Sequence, residues 1–418
     1  MRTLIVILIF LSAMPDTMAA PVVKELIMDR YRADSLLAQM FNGINLLGAI
    51  AALPLLWFAR SSNRSISLVI WASIADALLL GSMALPLGPG WTMVARALEG
   101  VTDVIVFAAL FDLVRRASRT HVATGIGFAS TPLLLGLGLG AMLGGLVVRQ
   151  SVAGESANWL FGLSASLSLV VALVAFVARK SLEARNETRD GSADDPRVAN
   201  DSVRPSNDPI WPSLAMTFSD RATGGLITGT LPIALAQVLG YSPLARGLLV
   251  GLPLLLMALG TGPSGWLCDR FGSLRVRFVA GIAYATSFGL LSVAGDQALP
   301  LGVVMVVIGV SGSALFSSSI ALVIRSGSAT IALGAFRGAG DLGFLSGTAL
   351  SVLLLSSIGG ESPTYASYSV VLTLFAGFHF VTTLIATVAL KIARKRTTEQ
   401  VPPVNSHRES GEINSLSR

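Results

Sequence analysis

Arg96, Glu99, Gly100 and Asp103 place ionisable chemistry inside a stretch, Trp91 to Leu113, that is otherwise apolar and long enough to cross a bilayer. Their spacing puts them on one helical face. A bare charge at mid-membrane costs about 2.5–3.5 kcal/mol on insertion scales. Three within two turns must therefore face protein or water, with Arg96 pairing to Glu99 or Asp103. An acid in an apolar surrounding holds a proton when its arginine leaves and releases it when the pair reforms. Such a face can therefore move protons; as an alternative, it is an ion pair that orders a helix bundle. Asp16, just past the middle of the first apolar stretch, is expected to face the cavity, the alternative being that this stretch is a cleaved signal. Asp220 and Arg221 are adjacent and point apart on the seventh, so at least one is expected to line the cavity while the other pairs across to a neighbour. Arg337 and Asp341 stand four apart and read as a structural pair.

Other chemistries find little support. Cys268 is the only cysteine, and His121, His379 and His407 are scattered. No metal site or cofactor is expected. No nucleotide-binding G-x-x-x-x-G-K-[ST] run occurs, and no nucleophile–base set suggests an enzyme.

The elements that must position these charges are membrane helices. Apolar residues make up 53% of the 418, and charged residues 13%, about half the share in soluble domains. The pattern predicts an all-α membrane protein with twelve transmembrane helices in two pseudo-symmetric six-helix halves. The halves are 1–178 and 211–392, joined by a polar, flexible linker over 179–210 and followed by a tail over 393–418. The first stretch, Thr3 to Val23, has signal-like features but reads as the first helix. The seventh span is expected over Leu214 to Leu239 and the ninth over Phe278 to Ala294. A repeat supports the halves: Gly127, Gly136 and Gly140 recur in spacing as Gly334, Gly343 and Gly347. Assigning alternate loops to two sides gives 22 Lys and Arg on the side of both termini and five on the other. That bias predicts cytoplasmic termini and a multi-pass protein of an inner or plasma membrane. The net charge of +6 then reflects loops, and no nucleic-acid partner is expected.

Gly265 to Arg277, reading GWLCDRFGSLRVR, is expected to form a tight charged turn between two spans. Gly265, Leu267, Asp269, Arg270 and Gly272 match G-x-L-a-D-R-x-G-R-K, the loop signature of the major facilitator superfamily of secondary transporters. The sequence resembles that family. In the fifth span Gly127, Gly136, Gly140, Gly144 and Gly145 resemble the glycine signature of its drug/proton antiporters, with Ala141 in place of a proline. Arg96 and Gly100 resemble the fourth-helix R-x-x-Q-G, with Glu99 at the glutamine.

The resemblance implies alternating access. It implies a cytoplasmic latch in which Asp269, with Gly265, Arg270 and Gly272, braces the start of the fifth span near Val122. It also implies proton-coupled export of a small organic compound by a monomer. Asp16, Arg96, Glu99, Asp103, Asp220 and Arg221 are the expected coupling and cavity residues, and their excess of acids leans towards cationic or zwitterionic substrates. The alternatives are a symporter or facilitator for uptake of a sugar or organic acid, and a scaffold or sensor that does not transport.

Overall fold

The computed structural model describes residues 2–59, 65–117, 122–150, 155–190, 208–294, 297–325, 329–360 and 363–400. Among them the protein is all-helical. The N-terminal helices are α1 (Arg2–Met18), α2 (Ser35–Ala59), α3 (Ser65–Ala84), α4 (Pro89–Ala117), α5 (Val122–Gln150) and α6 (Ser156–Asp190). The C-terminal helices are α7 (Trp211–Gly229), α8 (Leu231–Gln237), α9 (Pro243–Phe271), α10 (Ser273–Leu291), α11 (Ala298–Arg325), α12 (Ala329–Gly359) and α13 (Tyr365–Gln400). Ten are long and apolar enough to cross a membrane. The remaining long helices are α4 and α7, which hold Arg96, Glu99, Asp103, Asp220 and Arg221. Large apolar side chains such as Trp71, Leu78, Val177 and Leu299 face outward, as lipid contact requires.

Several boundaries differ from expectation. The expected linker begins as helix, because α6 continues to Asp190; residues 191–207 lie outside the described residues. The seventh span is broken at Thr230. Pro232 has no N–H for the Thr228 carbonyl and its ring crowds that oxygen, so the helix cannot continue unperturbed. Beyond α1 the chain passes through a 3-10 turn, Ala20–Val22, and a π-helix, Lys24–Asp29. The charged turn shrinks to one residue. Helix α9 runs through Asp269 and Arg270 to Phe271, and α10 starts at Ser273. Between them Gly272 has φ 87°, a conformation that side-chain-bearing residues avoid. Arg277, assigned to a loop from the sequence, is fully buried in α10.

Small residues set how closely the helices approach. On α5, Gly136, Gly140 and Gly144 lie against the Phe10, Met14 and Met18 carbonyls. On α12, Gly343 and Gly347 lie against the Phe218 and Ala222 carbonyls. The same crossing therefore occurs twice, at matching offsets on all four helices, and α1 packs as an integral member of the bundle. A Cβ at any of these glycines would meet backbone. Gly140→Leu and Gly347→Leu should each lower stability by about 1–3 kcal/mol or more. Thermal unfolding of detergent-purified protein checks this, and equal damage at both sites is the expected outcome.

Candidate functional site

The site starts from a crossing of α2 and α4. Gly48 lies against the Ala97 carbonyl and Gly100 against the Asn45 carbonyl, so the two backbones touch. That approach carries Asn45 to the charges. Its Nδ2 donates to Glu99 Oε2 at 2.8 Å and to Asp103 Oδ2 at 3.3 Å. Arg96 forms a buried ion pair with Glu99. Its Nη2 also donates to the Asp16 carbonyl at 3.1 Å. Helix α1 ends at Met18, which leaves the carbonyls of its last turn in need of outside donors. The guanidinium lies 5.2 Å from the centre of the Phe41 ring, a favourable cation–π placement. Carboxylate oxygens of Asp16, Glu99 and Asp103 all lie within 4.8 Å of one another. Three acids thus converge where one arginine supplies the positive charge. Behind them Asp76 accepts from Thr102 at 2.9 Å and from Ser168 at 2.6 Å, tying α3 and α6 to the back of α4.

Asp220 and Arg221 belong elsewhere. Asp220 pairs with Arg277 at 2.7 Å and lies 3.7 Å from His379 Nε2. Arg277 also donates to the Met216 carbonyl at 3.3 Å. The Tyr284 and His379 rings are 5.0 Å apart, and Thr223 donates to the Tyr284 hydroxyl at 3.3 Å. Arg221 points the other way, towards Gly340 of α12. Arg337 and Asp341 pair with each other at 2.8 Å. Of the six expected cavity residues, four meet in the N-terminal half. Asp220 is held by Arg277 of α10, beside His379 of α13, in a second cluster that sequence reasoning missed. A signal existed: Arg277 and Tyr284 share a face at seven residues apart, and His379, Thr383 and Thr387 form a buried polar stripe on α13.

The gate-motif residues lie at the α9–α10 junction. Asp269 and Arg270 are exposed. Arg270 stacks over Trp266 and Phe271 at 5.4 and 5.7 Å. Its expected partner region fares differently, since the side chains around Val122 lie outside the described residues, as do those of Gly127's neighbours. On α5 the remaining motif glycines divide between two partners. Gly136, Gly140 and Gly144 pack on α1, whereas Gly145 packs on Pro243 and Gly247 of α9. Ala141, at the position of the missing proline, is fully buried, and its carbonyl faces Gly247.

The model of the Major Facilitator Superfamily matches residues 5–219 and 213–414. The chain belongs to this superfamily. No curated protein matches it. The solved nucleoside transporter NupG is similar at a TM-score of 0.69 and 13% identity, covering 93% of this chain and 99% of that one. A bacterial homologue of the human lysosomal transporter Spinster, solved in an inward-facing and occupied conformation, gives 0.69 and 14%, covering 96% and 98%. The xylose transporter XylE from E. coli, partially occluded and inward open, gives 0.67 and 13%, covering 92% and 97%. At such identities the likeness concerns the fold. Family and fold together make this a multi-pass membrane transporter rather than an enzyme.

Two glycines of the gate motif should respond differently to a methyl group. Gly265 is helical with open space at its Cβ position, so Gly265→Ala should be neutral or slightly stabilising. Gly272→Ala places a Cβ at φ 87° and should cost about 1–2 kcal/mol. Paired melting curves decide this.

Proposed function

We propose that this protein is a secondary transporter that exports a small organic compound in exchange for protons, by alternating access. In this reading twelve spans form two six-helix halves, 1–178 and 211–392, with linker 179–210 and tail 393–418. The protein acts as a monomer in an inner or plasma membrane, with both termini in the cytoplasm. The convergence of Asp16, Glu99 and Asp103 on Arg96 carries the proposal. Arg96 holds Glu99, and Asp103, facing Asp16 and Asn45, is the proton carrier. When substrate or water draws Arg96 away, an acid left in an apolar surrounding takes up a proton; when the pair reforms, the proton leaves. The surplus of acids favours a cationic or zwitterionic substrate. The resemblance of the α5 glycines to the antiporter signature supports export, with Asp269 as part of a cytoplasmic latch. Asp220 and Arg221 contribute from the other half.

Two measurements test this reading. In proteoliposomes with an imposed proton gradient, Asp103→Asn should abolish gradient-driven export and leave counterflow exchange measurable. Glu99→Gln should be milder. Uphill export by Asp103→Asn with unchanged pH dependence would move the proton site to Asp16. Gradient-driven accumulation in the opposite direction would favour uptake instead, the second reading. Reporter tags after Arg418 and near Ser192 should both lie in the cytoplasm, and a signal from the far side at either place would overturn the orientation.

A further inference from the structure

Among the described residues, side-chain hydrogen bonds join the two halves at a limited set of places. Three cluster at the membrane end opposite the N-terminus of α1. Glu25, on the π-helix that continues α1, pairs with Arg246 in the first turn of α9. Asn42 of α2 donates to the Thr228 carbonyl at 3.0 Å, the oxygen that Pro232 leaves without its helical donor. Thr230, at the break between α7 and α8, bridges Gln39 of α2 at 3.1 Å and Ser351 of α12 at 2.7 Å. Arg246 is 1% exposed, yet it belongs to the surface between halves rather than to either interior.

We infer that Glu25–Arg246, together with Asn42 on the Thr228 carbonyl, is the gate that closes this end and that breaks once in every transport cycle. The inference rests on the alternating-access reading. Its physical basis is the chemistry of the seam. A buried ion pair gains Coulomb energy and loses solvation in nearly compensating amounts. Opened to water, both charges recover their hydration, so separation is inexpensive. The Thr228 carbonyl and the Thr230 hydroxyl also exchange protein partners for water. Contacts inside each half, like that of α5 with α9 between the halves, are of another kind: glycine on carbonyl, and apolar clusters such as Leu235, Phe288, Met305 and Phe375. Pulling these apart exposes apolar surface with nothing to replace the loss. The contact of α5 with α9 can persist through the cycle. Beyond the turn that carries Arg246 it runs from Gly138 against Gly251 to Thr131 against Thr261, about 10 Å of helix. Gly138 and Gly251 bring the two backbones together there, and this stretch serves as the pivot.

The test needs neither substrate nor proton gradient, so its failure is separate from a failure of proton coupling. In a Cys268→Ser background, Ser351→Cys puts one thiol behind the gate, at a fully buried position. Its reaction with a membrane-impermeant maleimide applied from the gate side is followed in sealed vesicles. Glu25→Gln should raise the rate about tenfold by shifting the population towards the open gate, and Asn42→Ala should raise it as well. The exchange Glu25→Arg with Arg246→Glu should return the rate towards that of the parent. A second arm uses Glu25→Cys with Arg246→Cys: a reducible bis-methanethiosulfonate that spans the pair should block labelling at position 351, and reduction should restore it. Unchanged labelling in Glu25→Gln and Asn42→Ala, or labelling that persists after the cross-link forms, would overturn the proposal.

Discussion

Three charges on α4 cannot sit in lipid, and the structure is arranged around that constraint. Arg96, Glu99 and Asp103 must be covered by protein that also satisfies their hydrogen bonds. Covering them requires neighbours closer than ordinary side chains permit, and glycine provides the approach. Gly100 admits the Asn45 carbonyl, Gly48 admits that of Ala97, and the stripe on α5 admits α1 with its Asp16 carbonyl. The polar cluster and the glycines are therefore one device. Filling a glycine would separate helices whose contact keeps charges out of lipid. Leaving the glycines and removing the charges would keep a bundle with a different interior.

The second half solves the same problem with other residues. The crossing of α7 with α12 reproduces that of α1 with α5, yet the charges it supports are not equivalents. Asp220 takes an arginine from α10, and His379 and Tyr284 complete the surroundings. Backbone geometry has been kept while the polar chemistry has diverged. The two clusters are thus unequal, with three acids converging on Arg96 in one and a one-to-one pair of Asp220 with Arg277 in the other.

Much of this was legible in the sequence, for identifiable reasons. Helical spacing predicts that Arg96, Glu99 and Asp103 share a face, since periodicity is local. The glycine offset predicts a repeated crossing because a small residue leaves the same trace in both copies. Arg277 was not legible as a buried residue. It lies five positions beyond the turn glycine, where a basic residue normally means a loop, and only tertiary contact with Asp220 explains its burial. The helix break at Thr230 was announced by Pro232, but an unbroken apolar run outweighed it. Asn45 and Asn42 carry no sequence pattern at all. Their roles depend on which carbonyls and carboxylates other helices bring to them.

Pro232 shows how a local defect becomes a property of the whole molecule. Within a membrane a carbonyl deprived of its helical donor must find another. For Thr228 that donor is Asn42, on a helix of the other half. The break therefore adds polar adhesion between the halves at this end, beside the backbone contact of α5 with α9. That adhesion is polar and water-replaceable, whereas the glycine-on-carbonyl and apolar packing within each half is not. A molecule built this way has rigid parts and a seam of small net energy. On the alternating-access reading proposed above, it occupies two arrangements without unfolding either part, and a few kcal/mol of differential binding suffice to choose between them.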